Sequence, residues 1–177
     1  MVKRLFVPML FIIAITSPAM AQEDEFARVE MGFGYANYGL PSSAGTDRIN
    51  GFSMHSGLNL SSWFGIENFT GAYSAGNDTT LIANIVGAKL VARDLVSGRI
   101  SPYLVGGIGA AYFTNSNSNS GFSAAATRFG GGIDFNLTGG MALKVDVSRL
   151  AINNIDVGGG WASNMSISTG IVFNIGF

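Results

Sequence analysis

His55 is the only histidine of the chain, and Ser56 follows it directly. A histidine beside a serine could be a general base beside a nucleophile, the pairing that drives acyl transfer. The segment around them, GFSMHSGLNLSS, alternates apolar with small polar residues, which is the period of a β-strand. Adjacent strand residues point to opposite faces, so His55 and Ser56 cannot serve each other. His55 reads instead as a structural side chain hydrogen-bonded to its neighbours. The glycine spacings of GFGYANYG and GGIGAAYF superficially match nucleotide loops, but neither opens a helix. Asp47, Asp78 and Asp156 stand in separate loop-like stretches, with no spacing suited to calcium. No catalytic residue, metal or cofactor is expected.

The second constellation is electrostatic: Arg28, Glu30, Glu67, Lys89, Arg128, Asp134, Lys144 and Asp146. Each except Glu67 falls opposite an apolar stripe, and Glu67 is assigned to the same set. Arg28 and Glu30 oppose Val29, Met31, Phe33 and Tyr35, and Lys89, together with Arg93, opposes Ile82, Val86, Ala88 and Leu90. Arg128 and Asp134 oppose Phe129, Ile133, Phe135 and Leu137, while Lys144 and Asp146 oppose Met141, Leu143, Val145 and Val147. About four cations thus face about four acids, on a polar face otherwise built of Gly, Ala, Ser and Asn. Small residues with balanced charges suit the interior of a narrow barrel, where a buried charge must find a partner.

The elements that carry these residues are strands throughout. Eight candidates can be marked, ending with MSISTGIVFNIGF. Two are left open in facing: in GIENFTGAY, Phe69 and Tyr73 fall on the Glu67 side, and SPYLVGGIGAAYF is too rich in glycine to orient. Asn84 interrupts an otherwise apolar stripe. The connections alternate: short near 61–65, 94–100 and 138–140, longer near 38–50, 74–79, 114–123 and 150–163. The longer ones are rich in Gly, Ser and Asn, as loop chemistry predicts.

Length allows one domain. The first 21 residues read as a secretory signal peptide: Lys3 and Arg4, the apolar run LFVPMLFIIAI, then SPAMA with Ala19 and Ala21 before the cut. Residues 22–177 would form the barrel domain. Without the leader, eight basic groups face eleven acidic ones, so no nucleic-acid partner is expected. Charged residues make up 12% of the chain, about half the usual share for a soluble domain. The chain has no cysteine, hence no disulfide framework and no lipid-attachment site.

Period two also suits a soluble barrel with its apolar face turned inward. The charges decide for the opposite arrangement. A solvated exterior would be dense in Lys and Glu, whereas apolar stripes free of charge suit lipid. There a Lys or Arg at mid-depth would cost about 2–4 kcal/mol. Closing the sheet pairs every backbone group, as hydrocarbon requires. Tyr35, Tyr38, Trp63, Phe64, Tyr103, Tyr112, Phe135 and Phe177 gather near strand ends, as interfacial girdles do.

Leader, eight alternating strands, short-turn and long-loop rhythm and terminal IVFNIGF together resemble the small outer-membrane β-barrels, the OmpA/OmpX-like group. The resemblance implies an all-β fold, an eight-stranded antiparallel up-and-down transmembrane barrel in the outer membrane of a Gram-negative bacterium, with both termini periplasmic. It further implies that Phe173, Ile175 and Phe177 form the insertion signal read by the outer-membrane assembly machinery. The expected role is non-enzymatic: envelope integrity as a monomer in outer-membrane lipid, with the longer loops free to contact a surface ligand. A low-conductance channel for small solutes, or a lipid A-modifying enzyme, is the alternative. The His-x-Ser spacing seen in barrel deacylases is absent, because Gly57 holds the second position.

Overall fold

The computed structural model describes residues 27–42, 45–74, 79–93, 98–115, 120–153 and 160–176. The expected leader and Phe177 lie outside them. Eight strands follow one another: β1 Val29–Ser42, β2 Gly45–Asn59, β3 Phe64–Ser74, β4 Thr79–Val91, β5 Ile100–Asn115, β6 Ser120–Thr138, β7 Met141–Asn153 and β8 Trp161–Ile175. Each pairs antiparallel with the next, and β8 returns to β1, closing the barrel. No sheet edge is left unpaired among the described residues. No helix among them is long and apolar enough to cross a membrane, which leaves crossing by strands open.

The register fixes the barrel's shape. Stepping across the hydrogen bonds from Tyr38 leads through Ser166, Ser148, Gly130, Val105, Lys89, Gly65 and Asn59. Asn59 then donates its backbone amide to the carbonyl of Arg28. The circuit therefore returns to β1 ten residues lower, at Arg28 instead of Tyr38. A stagger of about 33 Å over a circumference of about 38 Å tilts the strands by about 40°.

So tilted and tightly closed a wall needs backbone that bends without side chains in the way. Gly34 stands opposite Gly170, and Gly87 opposite Gly107. A Cβ at Gly34 would sit 2.1 Å from the Thr169 carbonyl oxygen, and one at Gly87 2.1 Å from that of Gly106. No side chain fits at either position. At the β4–β5 connection, Gly98 takes a positive φ of 75°, which glycine adopts at little cost.

Facing follows parity. Phe33, Phe52, Leu58, Ile82, Val86, Leu104, Ile108, Phe129, Leu143, Val147, Ile171 and Phe173 are exposed on the outer wall. The two open strands resolve cleanly. On β3, Ile66 faces out and Glu67, Phe69 and Tyr73 face in. On β5, Ser101, Tyr103, Val105, Ala111 and Phe113 are buried while Leu104, Ile108 and Tyr112 are exposed.

Three expectations need correction. Tyr38 and Tyr103 are buried inside, not in an interfacial girdle, because their parity places them with Ala36 and Val105. The lumen is not uniformly small and polar. Its far half, away from the short turns, holds an apolar cluster that includes Tyr38, Tyr73, Leu81, Ile85, Leu150 and Ile152. The connection near 38–50 is mostly strand, since β1 and β2 stay paired out to Ser42 and Gly45. Polar hairpin residues satisfy their backbone by pairing as readily as by forming loop. The strands, 11 to 19 residues long, exceed the roughly 9–11 needed to cross a bilayer.

Candidate functional site in the barrel lumen

The half of the lumen nearer the short turns holds one continuous series of charges, contributed by β1, β3, β4, β6 and β7 and the residues just past β4. Glu30 on β1 accepts from Lys89 Nζ on β4 at 2.6 Å, and Lys89 also lies 3.4 Å from Asp134 on β6. Lys144 on β7 reaches Asp134 at 3.2 Å and Glu67 on β3 at 3.7 Å. Arg128 on β6 then joins Glu67 at 3.0 Å to Asp146 at 2.7 Å. At the other end Arg93, just past β4, lies 3.4 Å from Glu30. The signs alternate along the whole path: Arg93, Glu30, Lys89, Asp134, Lys144, Glu67, Arg128, Asp146. Four cations and four anions cancel.

Burial this complete requires such pairing. Lys89 is 1% exposed and Asp146 likewise, and an unpaired charge there would carry a penalty of several kcal/mol. Neutral groups complete the shell. Asn59 donates to Glu30 at 2.8 Å and to the Ala27 carbonyl at 2.6 Å. The Tyr103 hydroxyl donates to Asp146 at 3.0 Å, and Arg128 Nε donates to Ser148 at 3.0 Å. Ring faces take the remaining cationic surface: Lys144 sits 3.8 Å from the centre of Tyr103, and Arg128 4.3 Å from that of Phe69. Such contacts add about 0.5–2 kcal/mol each.

His55 faces this series from β2. Its Nδ1 is 3.5 Å from Glu67, and its ring meets Phe69 edge-on. Ser56 faces the outer wall, so the two never meet. Arg28 precedes β1, and its side chain is exposed at the turn end; its main chain bridges to Gly176 and Asn59. Arg28 therefore does not belong to the buried series, and Arg93, which continues the alternation of Gly87 and Lys89, does. Phe173 and Ile175 are exposed on the outer face of β8, and Phe177 is outside the described residues.

Little space remains. A cavity of about 10 Å³ lies beside Glu67, Ile85, Val105 and Arg128, room for about one water. Above it the apolar cluster closes the bore, with Tyr38 and Tyr73 in ring contact at 5.7 Å. No group of three or more metal-ligating side chains occurs among the described residues.

The fold has known counterparts. Neisserial surface protein A superposes with a TM-score of 0.70 at 13% identity, covering 84% of this chain and 98% of that structure. The N-terminal β-barrel domain of Pseudomonas aeruginosa OprF gives 0.57 at 14% identity, covering 85% and 99%. Ail, the attachment invasion locus protein of Yersinia pestis, gives 0.55 at 18% identity, covering 84% and 98%. At these identities the likeness concerns the fold alone. Among curated proteins no sequence matches the chain. The sequence profile of the outer membrane protein beta-barrel domain matches residues 7–174; with that span, an apolar outer wall and a neutralised lumen, the chain belongs to the outer membrane protein β-barrel family and resides in the outer membrane of the Gram-negative envelope.

Proposed function

We propose that the protein is a non-enzymatic, non-conducting monomer that contributes to outer-membrane integrity and presents its far-end strand tips for surface contact. The filled lumen carries this reading. Every charge of the buried series has an oppositely charged neighbour within 4 Å, and the far half of the lumen is packed with buried apolar side chains. In this reading the short turns and both termini are periplasmic, and the leader is removed after Ala21. The assembly machinery reads the last strand through Phe173, Ile175 and Phe177. Surface contact is supported by Phe122 and Trp161, half-exposed toward the far end of β6 and β8. The likeness to a protein described as an attachment invasion locus product points the same way. Catalysis is disfavoured because the one histidine lies in the lumen against Glu67 and Phe69, with Ser56 turned to the outer wall.

Single-channel recording in planar bilayers tests the proposal. The purified barrel should give a flat baseline at potentials on the order of 100 mV, and a steady open pore would establish the channel reading instead.

A further inference from the structure

The outer wall carries a charged feature that the lumen does not explain. On β7 the outward residues Met141, Leu143, Val145 and Val147 are apolar, and the next outward position is Arg149, which is exposed. Its strand neighbours are Phe129 on one side and Met165 on the other, both exposed and apolar. Among the described residues Arg149 makes no hydrogen bond or ion pair. From Met141 to Arg149 is about 20 Å along the barrel axis, given the strand rise and tilt, close to the roughly 25 Å height of a barrel's apolar band. Arg149 therefore stands at the rim where hydrocarbon gives way to head groups. A cation there is favourable when it meets an anion.

A second arginine reaches the same place. Arg48 on β2 is exposed, and its Nη1 donates to Asn37 Oδ1 at 2.8 Å and to the Met165 carbonyl at 3.3 Å. Met165 is the cross-strand partner of Arg149, so the two arginines flank the same stretch of β8. Arg48 Nε and Nη2 make no hydrogen bond to a described residue. Asn50 accepts from Tyr35 at 2.6 Å and from Asn37 at 2.7 Å, which fixes the shelf on which Arg48 lies. Asp47 alternates to the opposite face of β2 from Arg48. The patch is thus cationic, braced, and open on its outer side.

We infer that Arg48 and Arg149 form a binding site for the phosphate of an outer-leaflet phosphorylated glycolipid. Planar guanidinium groups match phosphate oxygens in charge and geometry, and the acyl chains of such a lipid would lie against Val147, Ile167 and Phe33 below. The inference rests on the proposed orientation, with the far end outermost.

The test is reconstitution into phosphatidylcholine vesicles with and without lipid A in both leaflets, so that the result is independent of orientation. Thermal unfolding, read as loss of the compact band in unboiled samples, should shift upward with lipid A. Each of Arg48→Gln and Arg149→Gln should weaken the apparent affinity about fivefold, and both variants should still fold. Arg99→Gln, at the turn end, should behave as the parent and so excludes general charge attraction. Dephosphorylated lipid A and free inorganic phosphate should each give no shift. An equal shift with dephosphorylated lipid, with free phosphate, or in the double variant would overturn the site. Orientation is read separately, by thiol labelling of the Asp47→Cys and Ser61→Cys variants on intact cells. Labelling of the Ser61→Cys variant alone would refute the orientation without touching the binding result.

Discussion

The buried charges are set by pairing, residue by residue, and Glu67 has the most titratable neighbours among them. It joins Arg128 and Lys144 and accepts His55 as a third neighbour. Removing it leaves two cations under-compensated in the lumen. Glu67→Ala should therefore cost about 3–5 kcal/mol, measured as a lowered urea midpoint in lipid vesicles. Adding Lys144→Met to that variant should recover part of the loss, because Arg128 keeps Asp146 and Asp134 keeps Lys89. Residue types and alternation are enough to mark most of these positions. Arg28 shows where alternation fails: it carries no information about where a strand begins, so it cannot tell an exposed residue just outside β1 from a buried one within it. The contacts themselves lie beyond its reach, since they join side chains such as Arg93 and Glu30, 63 positions apart along the chain.

Among the elements, β3 and β4 explain the polar break that Asn84 makes in its apolar stripe. Asn84 faces outward and donates to Thr70 at 2.7 Å and to Asn68 at 3.3 Å, and Asn68 donates back to Asn84 at 3.3 Å. Three polar side chains on the lipid face thus satisfy one another across two strands. Replacing one leaves its partners unsatisfied; replacing all three removes the need. Asn84→Val should cost about 0.5–2 kcal/mol, and the triple variant Asn68→Val, Thr70→Val and Asn84→Val should be neutral or more stable, both read by urea unfolding. Asn84 is visible as an anomaly in the sequence, but its partners are not, because the facing of β3 stays ambiguous until Glu67, Phe69 and Tyr73 are seen to share the lumen. Aromatic residues on both faces of a strand hide its period. The same blind spot puts Tyr38 and Tyr103 outside when only the sequence is read.

At the scale of the molecule, closure with a ten-residue stagger lets eight strands enclose a bore that their own side chains fill. The turn-end half is filled by cancelling charges and the far half by Tyr38, Tyr73, Leu81, Leu150 and their neighbours. Strand number and outward apolar face are legible from period two, because that pattern repeats in nearly every element. The apolar far half is not, since an inward Leu reads like an outward one wherever the alternation blurs. The central claim is the facing of the wall: apolar side chains toward lipid, polar ones toward the lumen. Two positions on β8 test it directly, Ile171, which is 43% exposed on the outer wall, and Asn174, of opposite parity near the turn end. In a refolding assay into lipid vesicles, Ile171→Arg should lose most of the heat-sensitive compact band, because a cation in the hydrocarbon costs about 2–4 kcal/mol. Asn174→Arg should keep nearly all of it. Equal yields from the two variants, or a greater loss from Asn174→Arg, would contradict the account.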